Sequence, residues 1–118
     1  RLWIMSNEES LAKVLNEGVH DSHSPERVLW LCVILQQLLD ATKPTYEGEN
    51  AYNILMRDSA RSWLTSSYGV TATDRDDVCD MAGINPEALT TFTKKLFNND
   101  EIEFVRKRIN AILHETIT

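Results

Sequence analysis

Glycine and proline are scarce here, at four and three in 118 residues. The few breakers fall between blocks of helical periodicity, so the chain reads as helices punctuated by turns. No internal repeat or low-complexity tract is present. Cysteine is also rare. Cys32 and Cys79 lie inside apolar-periodic segments and lack the CxxC spacing of a zinc or redox motif. Two buried thiols in a reducing compartment are expected, with a disulfide between them the lesser alternative. Long apolar runs are missing. The longest, VLWLCVIL at 28–35, is far short of the roughly 20 residues that span a bilayer. The opening RLWIM lacks the apolar core of an export signal. The expectation is a soluble, cytoplasmic protein without a membrane partner. Positive charge is short as well: 12 Lys and Arg stand against 18 Asp and Glu, a formal net charge of -6. That disfavours a general binder of nucleic acid or anionic membranes, while leaving room for a local basic patch.

What is present is ordinary for one globular domain, with 42% hydrophobic and 25% charged residues. A first helix is predicted after Ser6, where SNEE forms a capping box with Glu9 and Leu11, Val14 and Leu15 make a short stripe. Gly18 is its expected stop, and the few residues before it are read as an extended tail. A second starts at Ser24 and Pro25 and runs to 41; its apolar run predicts a helix buried on every side. Asn50 caps a third over 51–66, with Tyr52, Leu55, Met56 and Trp63 as its inward face. SSYGVTAT breaks the chain, and Thr73 caps a fourth over 74–82. Gly83 ends that helix, and Asn85 with Pro86 opens a fifth, with Leu89, Phe92 and Leu96 or Phe97 inward. A sixth follows NND, with Asp100 as cap, Ile102, Val105, Ile109 and Ile112 as its stripe, and Glu103 paired to Lys107. The fold class expected is all-α: a single domain over 1–118, a compact bundle of five or six helices.

Residues 76–97, DDVCDMAGINPEALTTFTKKLF, form a helix-turn-helix-like corner within about 74–97. Two short helices crossing steeply need a residue that tolerates a positive backbone angle at the corner. Gly83 supplies it. Cys79 is the small residue at the crossing, Val78 and Ala82 point inward, Ile84 plugs the turn, and Leu89 and Phe92 reach the core. The spacing resembles the helix-turn-helix superfamily. That resemblance implies a second helix lying in the DNA major groove. Asn85, Glu87, Thr90 and Thr91 would then face base edges, with Lys94 following them on the same outward side. Lys94, Lys95, Arg106, Lys107 and Arg108 would hold phosphates. The charge balance opposes this. Residues 74–108 carry eight acids and six bases, and Asp74, Asp76, Asp77 and Asp80 crowd the helix that would cross the phosphates. Those four instead form an acidic face for a basic protein partner.

The string DRDDVCDMAGINPEAL, with ARSWL and RVLWLCVILQQLLDA before it, resembles a set of small phage and prophage proteins. Their pattern joins an aromatic-rich helix, a Ser/Ala-Arg-x-Trp segment and Val-Cys-x-x-Ala-Gly-Ile/Leu-x-Pro. Here these are Ala60, Arg61, Ser62 and Trp63, then VCDMAGINP at 78–86. The resemblance implies a phage origin, and with it a regulator, a packaging accessory or an inhibitor of a bacterial host's machinery.

Chemistry is thinly represented. His20, Asp21 and His23 share one loop with His114 remote, too few for a metal site. Neither a nucleophile elbow nor a phosphate loop occurs, so no enzyme, metal or cofactor is expected. Arg57 and Arg61, one turn apart, are expected to pair on the surface with Asp58 or the Asp-rich segment rather than clamp an anion. Trp30 and Trp63 are expected in the core, and Trp3 over an apolar surface or a partner chain. Two functions follow: a phage-type DNA-binding or regulatory protein, with a homodimer expected, or an acidic adaptor or inhibitor of a host protein built on the same corner.

Overall fold

The computed structural model describes residues 24–97 and 102–117. The expected helix after Ser6, Trp3, the loop histidines and the Asp100 cap lie outside them. The described residues form α1 (Pro25–Ala41), α2 (Ala51–Thr65), α3 (Gly69–Ala82), α4 (Pro86–Phe97) and α5 (Ile102–Ile117), with no strand among them. The described fold is all-helical, and no described helix is long and apolar enough to cross a membrane.

α1 begins where expected. The Ser24 hydroxyl accepts from the Arg27 amide at 3.2 Å, Pro25 occupies the first turn, and Glu26 complements the helix dipole. α1 is the hub of the core, packing on α2, α3 and α5, while α2 also meets α3 and α4. Ile34, Leu35, Leu38 and Ala41 are its most enclosed residues. Each fully buried Leu or Ile contributes about 1.5–3 kcal/mol. The helix is not buried on every side, however. Leu29 is exposed and Trp30 half-buried, because no described element covers that flank of the first turns.

The inward face of α2 also differs from expectation. Arg57, Ala60, Trp63 and Leu64 are buried, whereas Tyr52 and Leu55 are 66% and 62% exposed. Small Ala60 lies on the buried face, and Arg57 enters it because Glu49 neutralises it there. The two make paired bonds of 2.7 and 2.9 Å with both side chains enclosed. The Arg57 guanidinium holds the Glu49 carboxyl below the usual carboxylate range. The expected surface pair between Arg57 and Asp58 is thus replaced by a buried one.

α3 starts earlier than the sequence signals. Gly69 opens it at φ 90°, and Thr73 lies inside, its hydroxyl donating to the Gly69 carbonyl at 3.1 Å rather than capping. Propensity failed here because Tyr68 occupies the cap position with no side-chain bond to the helix. The far end follows expectation: Gly83 at φ 76° closes α3, and the Ile84 amide reaches back to the Cys79 carbonyl at 2.8 Å. On α5, Val105 and Ile109 are fully buried, but Glu103 and Lys107 do not form the expected ion pair.

Both cysteines are free thiols. Burial raises the Cys32 thiol and pushes the Cys79 thiol up to about 11. For Cys79 the unfolded chain loses its proton first, near 9.0, so stability falls as pH rises from there toward 11. Cys79 is therefore expected to react with a thiol reagent only at the rate of global unfolding. Stopped-flow labelling of a Cys32→Ser variant checks this, and fast labelling at neutral pH would contradict it.

Candidate functional site

Two helix ends, those of α1 and α2, decide what the charged residues are free to do. None of α1, α2 and α3 carries a basic residue in its own last turn. Arginines from elsewhere in the chain take that place at α1 and α2, where unpaired carbonyls and the negative end of the dipole meet. At the end of α1, Arg61 donates to the Ala41 carbonyl at 2.8 Å, and Arg106 donates to the Leu39 carbonyl and to Thr42 Oγ1. Arg61 also lies over the Phe97 ring, 4.8 Å from its centre. At the end of α2, buried Arg75 donates through Nη1 to the carbonyls of Ser66, Leu64 and Trp63 at 2.6, 3.3 and 3.4 Å.

These bonds redistribute the expected DNA-contacting set. Arg106 is half-buried and committed to α1, so its phosphate role does not stand on this geometry. Arg61 is likewise tied to a helix end instead of the Asp-rich segment. Asn85 caps α4, its Oδ1 accepting from the amides of Glu87 and Ala88 at 2.8 and 3.2 Å. The oxygen needed to read adenine is therefore occupied. Thr90 is half-buried and its hydroxyl donates to the Pro86 carbonyl at 2.9 Å. Glu87, Thr91 and Lys94 are exposed on α4, and Lys95 is half-buried. Lys107 and Arg108 are exposed on α5 beside Phe104 and Ala111.

The aspartates divide in the same way. Asp74 Oδ2 accepts from the Trp63 indole at 2.8 Å, and Asp76 pairs with Arg75 at 3.1 Å. Asp77 and Asp80 are exposed on the outward side of α3. Asp76 and Glu87 line one open groove with Ser66, Ser67, Thr90 and Thr91, floored by Arg75. The groove therefore joins a member of the acidic face to the N-terminal half of α4. Its exposed charges are the carboxylates of Asp76, paired with Arg75, and Glu87, while Arg75 turns its Nη1 to backbone carbonyls.

Sequence reasoning missed Arg75 as an organising residue. The signal was there: Ala72, Arg75, Val78 or Cys79 and Ala82 recur at helical spacing, and an arginine in an inward series needs acceptors inside. Among the described residues no group of three His, Cys, Asp or Glu could hold a metal ion. His114 is exposed near the end of α5. Compared with protein-family models, curated proteins and solved structures, the chain has no match.

Proposed function

We propose that this chain is a protein-binding module, an adaptor or inhibitor that docks a basic partner on the acidic surface of its α3–α4 corner. The observation that carries it is the fate of the charges. Arg75 of α3, and Arg61 and Arg106 at the end of α1, are consumed by backbone carbonyls, and the Arg27 guanidinium packs against Gly83. Asp77, Asp80, Asp76 and Glu87 still face solvent or the groove. A surface so arranged attracts cationic side chains and repels phosphates. The resemblance to small phage and prophage proteins makes a bacterial host protein the natural partner.

A second reading, DNA binding through α4, draws on the corner itself. Gly83 in the left-handed region, Cys79 fully enclosed at the crossing and Ile84 in the turn match helix-turn-helix spacing. Thr91, Lys94 and Lys95 follow along α4. Shape alone does not set function, and the charge pattern ranks this reading second.

One experiment separates them. Fluorescence anisotropy is measured at low salt with a Lys/Arg-rich amphipathic peptide and with mixed-sequence duplex DNA, for the parent, Asp77→Lys/Asp80→Lys and Lys94→Glu/Lys95→Glu. The expected result is peptide binding that the aspartate reversal weakens about tenfold or more, with little DNA retention. DNA retention by the parent that the lysine reversal abolishes, without peptide binding, would overturn the first reading in favour of the second.

A further inference from the structure

α5 turns Val105 and Ile109 toward the core, against α1. Its opposite side has no neighbour among the described elements. Phe104 stands there 66% exposed, and Glu103, Phe104, Lys107, Arg108 and Ala111 surround a shallow, mostly apolar hollow. At 100° per residue, Phe104, Lys107, Arg108 and Ala111 share an arc of about 100°. A single exposed aromatic is unremarkable. The order of charges around this one is informative. Glu103, Lys107 and Arg108 make no ion pair or hydrogen bond with any other described residue. Set against its own reverse, the stretch EFVRKR over 103–108 is complementary at its two outer pairs, the inner pair being the inward-turned Val105 and Arg106. Glutamate lies opposite arginine, and phenylalanine opposite lysine.

Self-complementarity of that kind is what a two-fold interface requires, since residue i meets j and j meets i. We propose that α5 is a homodimer seam. Two copies lie antiparallel about an axis passing between residues 105 and 106. Glu103 of each copy then meets Arg108 of the second copy, and Lys107 lies over the Phe104 ring of the other chain. The hollow closes over the two rings and the alkyl stems of the lysines. A phosphate backbone fits this surface poorly, because Phe104 stands within its arc and Glu103 at its edge. One helix pair buries less than the roughly 1,200 Å² of a standard interface. The dimer is accordingly weak, with a dissociation constant of about micromolar or above, and it loosens with added salt. The seam is separate from the α3–α4 corner and stands or falls without it.

Sedimentation velocity from low to high micromolar concentration tests the seam on the full chain. The parent should pass from monomer to dimer across that range. Glu103→Arg places arginines opposite arginines, and Arg108→Glu places glutamates opposite glutamates, so each variant alone should remain monomeric. An equimolar mixture of the two variants should re-form a dimer, because each arginine again meets a glutamate. Circular dichroism checks that both variants stay helical, as expected for exposed positions. If either fails that check, Phe104→Glu in the parent background replaces it, with monomer expected. A parent that stays monomeric throughout would overturn the proposal. So would single variants that dimerise like the parent, or a mixture of folded variants that stays monomeric.

Discussion

Arg75→Ala is expected to destabilise the fold by about 3 kcal/mol in urea unfolding. Arg75 is only 5% exposed, and its Nη1 is shared among three carbonyls at the end of α2. α2 has no cation in its own last turn, so this guanidinium supplies both the missing donors and the charge opposite the dipole. Truncation leaves the buried carbonyls of Trp63 and Leu64 unpaired, which costs more than the bonds themselves contributed. The exposed contact to Asp76, half open to solvent, adds little. Arg75→Lys should recover less than half of the loss, because one ammonium cannot span the fork that the guanidinium fills. A loss below about 1 kcal/mol for the alanine variant would show that water satisfies those carbonyls and that α3 is not what ends α2.

Gly83→Val should cost about 3 kcal/mol, and Gly83→Ala about 2. Two separate effects act at this position. The backbone sits at φ 76°, where any Cβ is strained and a branched one most of all. A Cβ built there also lies 3.0 Å from Arg27 Cζ and 3.1 Å from its Nε. The guanidinium of α1 thus rests on the corner and has to move. A double-mutant cycle separates the two terms: Arg27→Ala should relieve part of the Gly83→Ala penalty, leaving the backbone part. If Arg27→Ala leaves the Gly83→Ala penalty unchanged, the close packing of Arg27 on this turn is wrong.

Legibility varied with how local the cause was. Ser24 with Pro25, Asn50, Asn85 with Pro86, and Gly83 all marked helix ends correctly, because caps act within three or four residues and leave a residue-type signature. Tyr68 left no such signature, and α3 began five residues before Thr73 was expected to cap a helix at 74. The apolar stripes of α4 and α5 were read correctly at Leu89, Phe92, Val105 and Ile109. The stripe of α2 was misread, since Tyr52 and Leu55 keep helical spacing with Trp63 yet stay in solvent. Periodicity finds an apolar face; it does not say whether another element covers it.

The candidate site was legible as a list of charged residues and illegible as a surface. Arg106 and Asn85 looked like contacts for a ligand. In the folded chain one serves the Leu39 carbonyl, 67 residues away in sequence, and the other serves its own helix. Asp74 looked like a member of an acidic face and instead holds the Trp63 indole.

Among the described residues, the sequence by itself determined an all-helical fold, the helix starts at Ser24, Asn50 and Asn85, and the left-handed corner at Gly83. All of these follow from backbone preferences and short-range bonds. The tertiary structure alone decided which arginines remain available. A guanidinium finds a helix terminus or a buried carboxylate only when chain folding brings that terminus within a few ångströms. Arg57, Arg61, Arg75 and Arg106 are therefore spent inside the fold, while Asp77, Asp80 and the Phe104 face are left to meet other molecules.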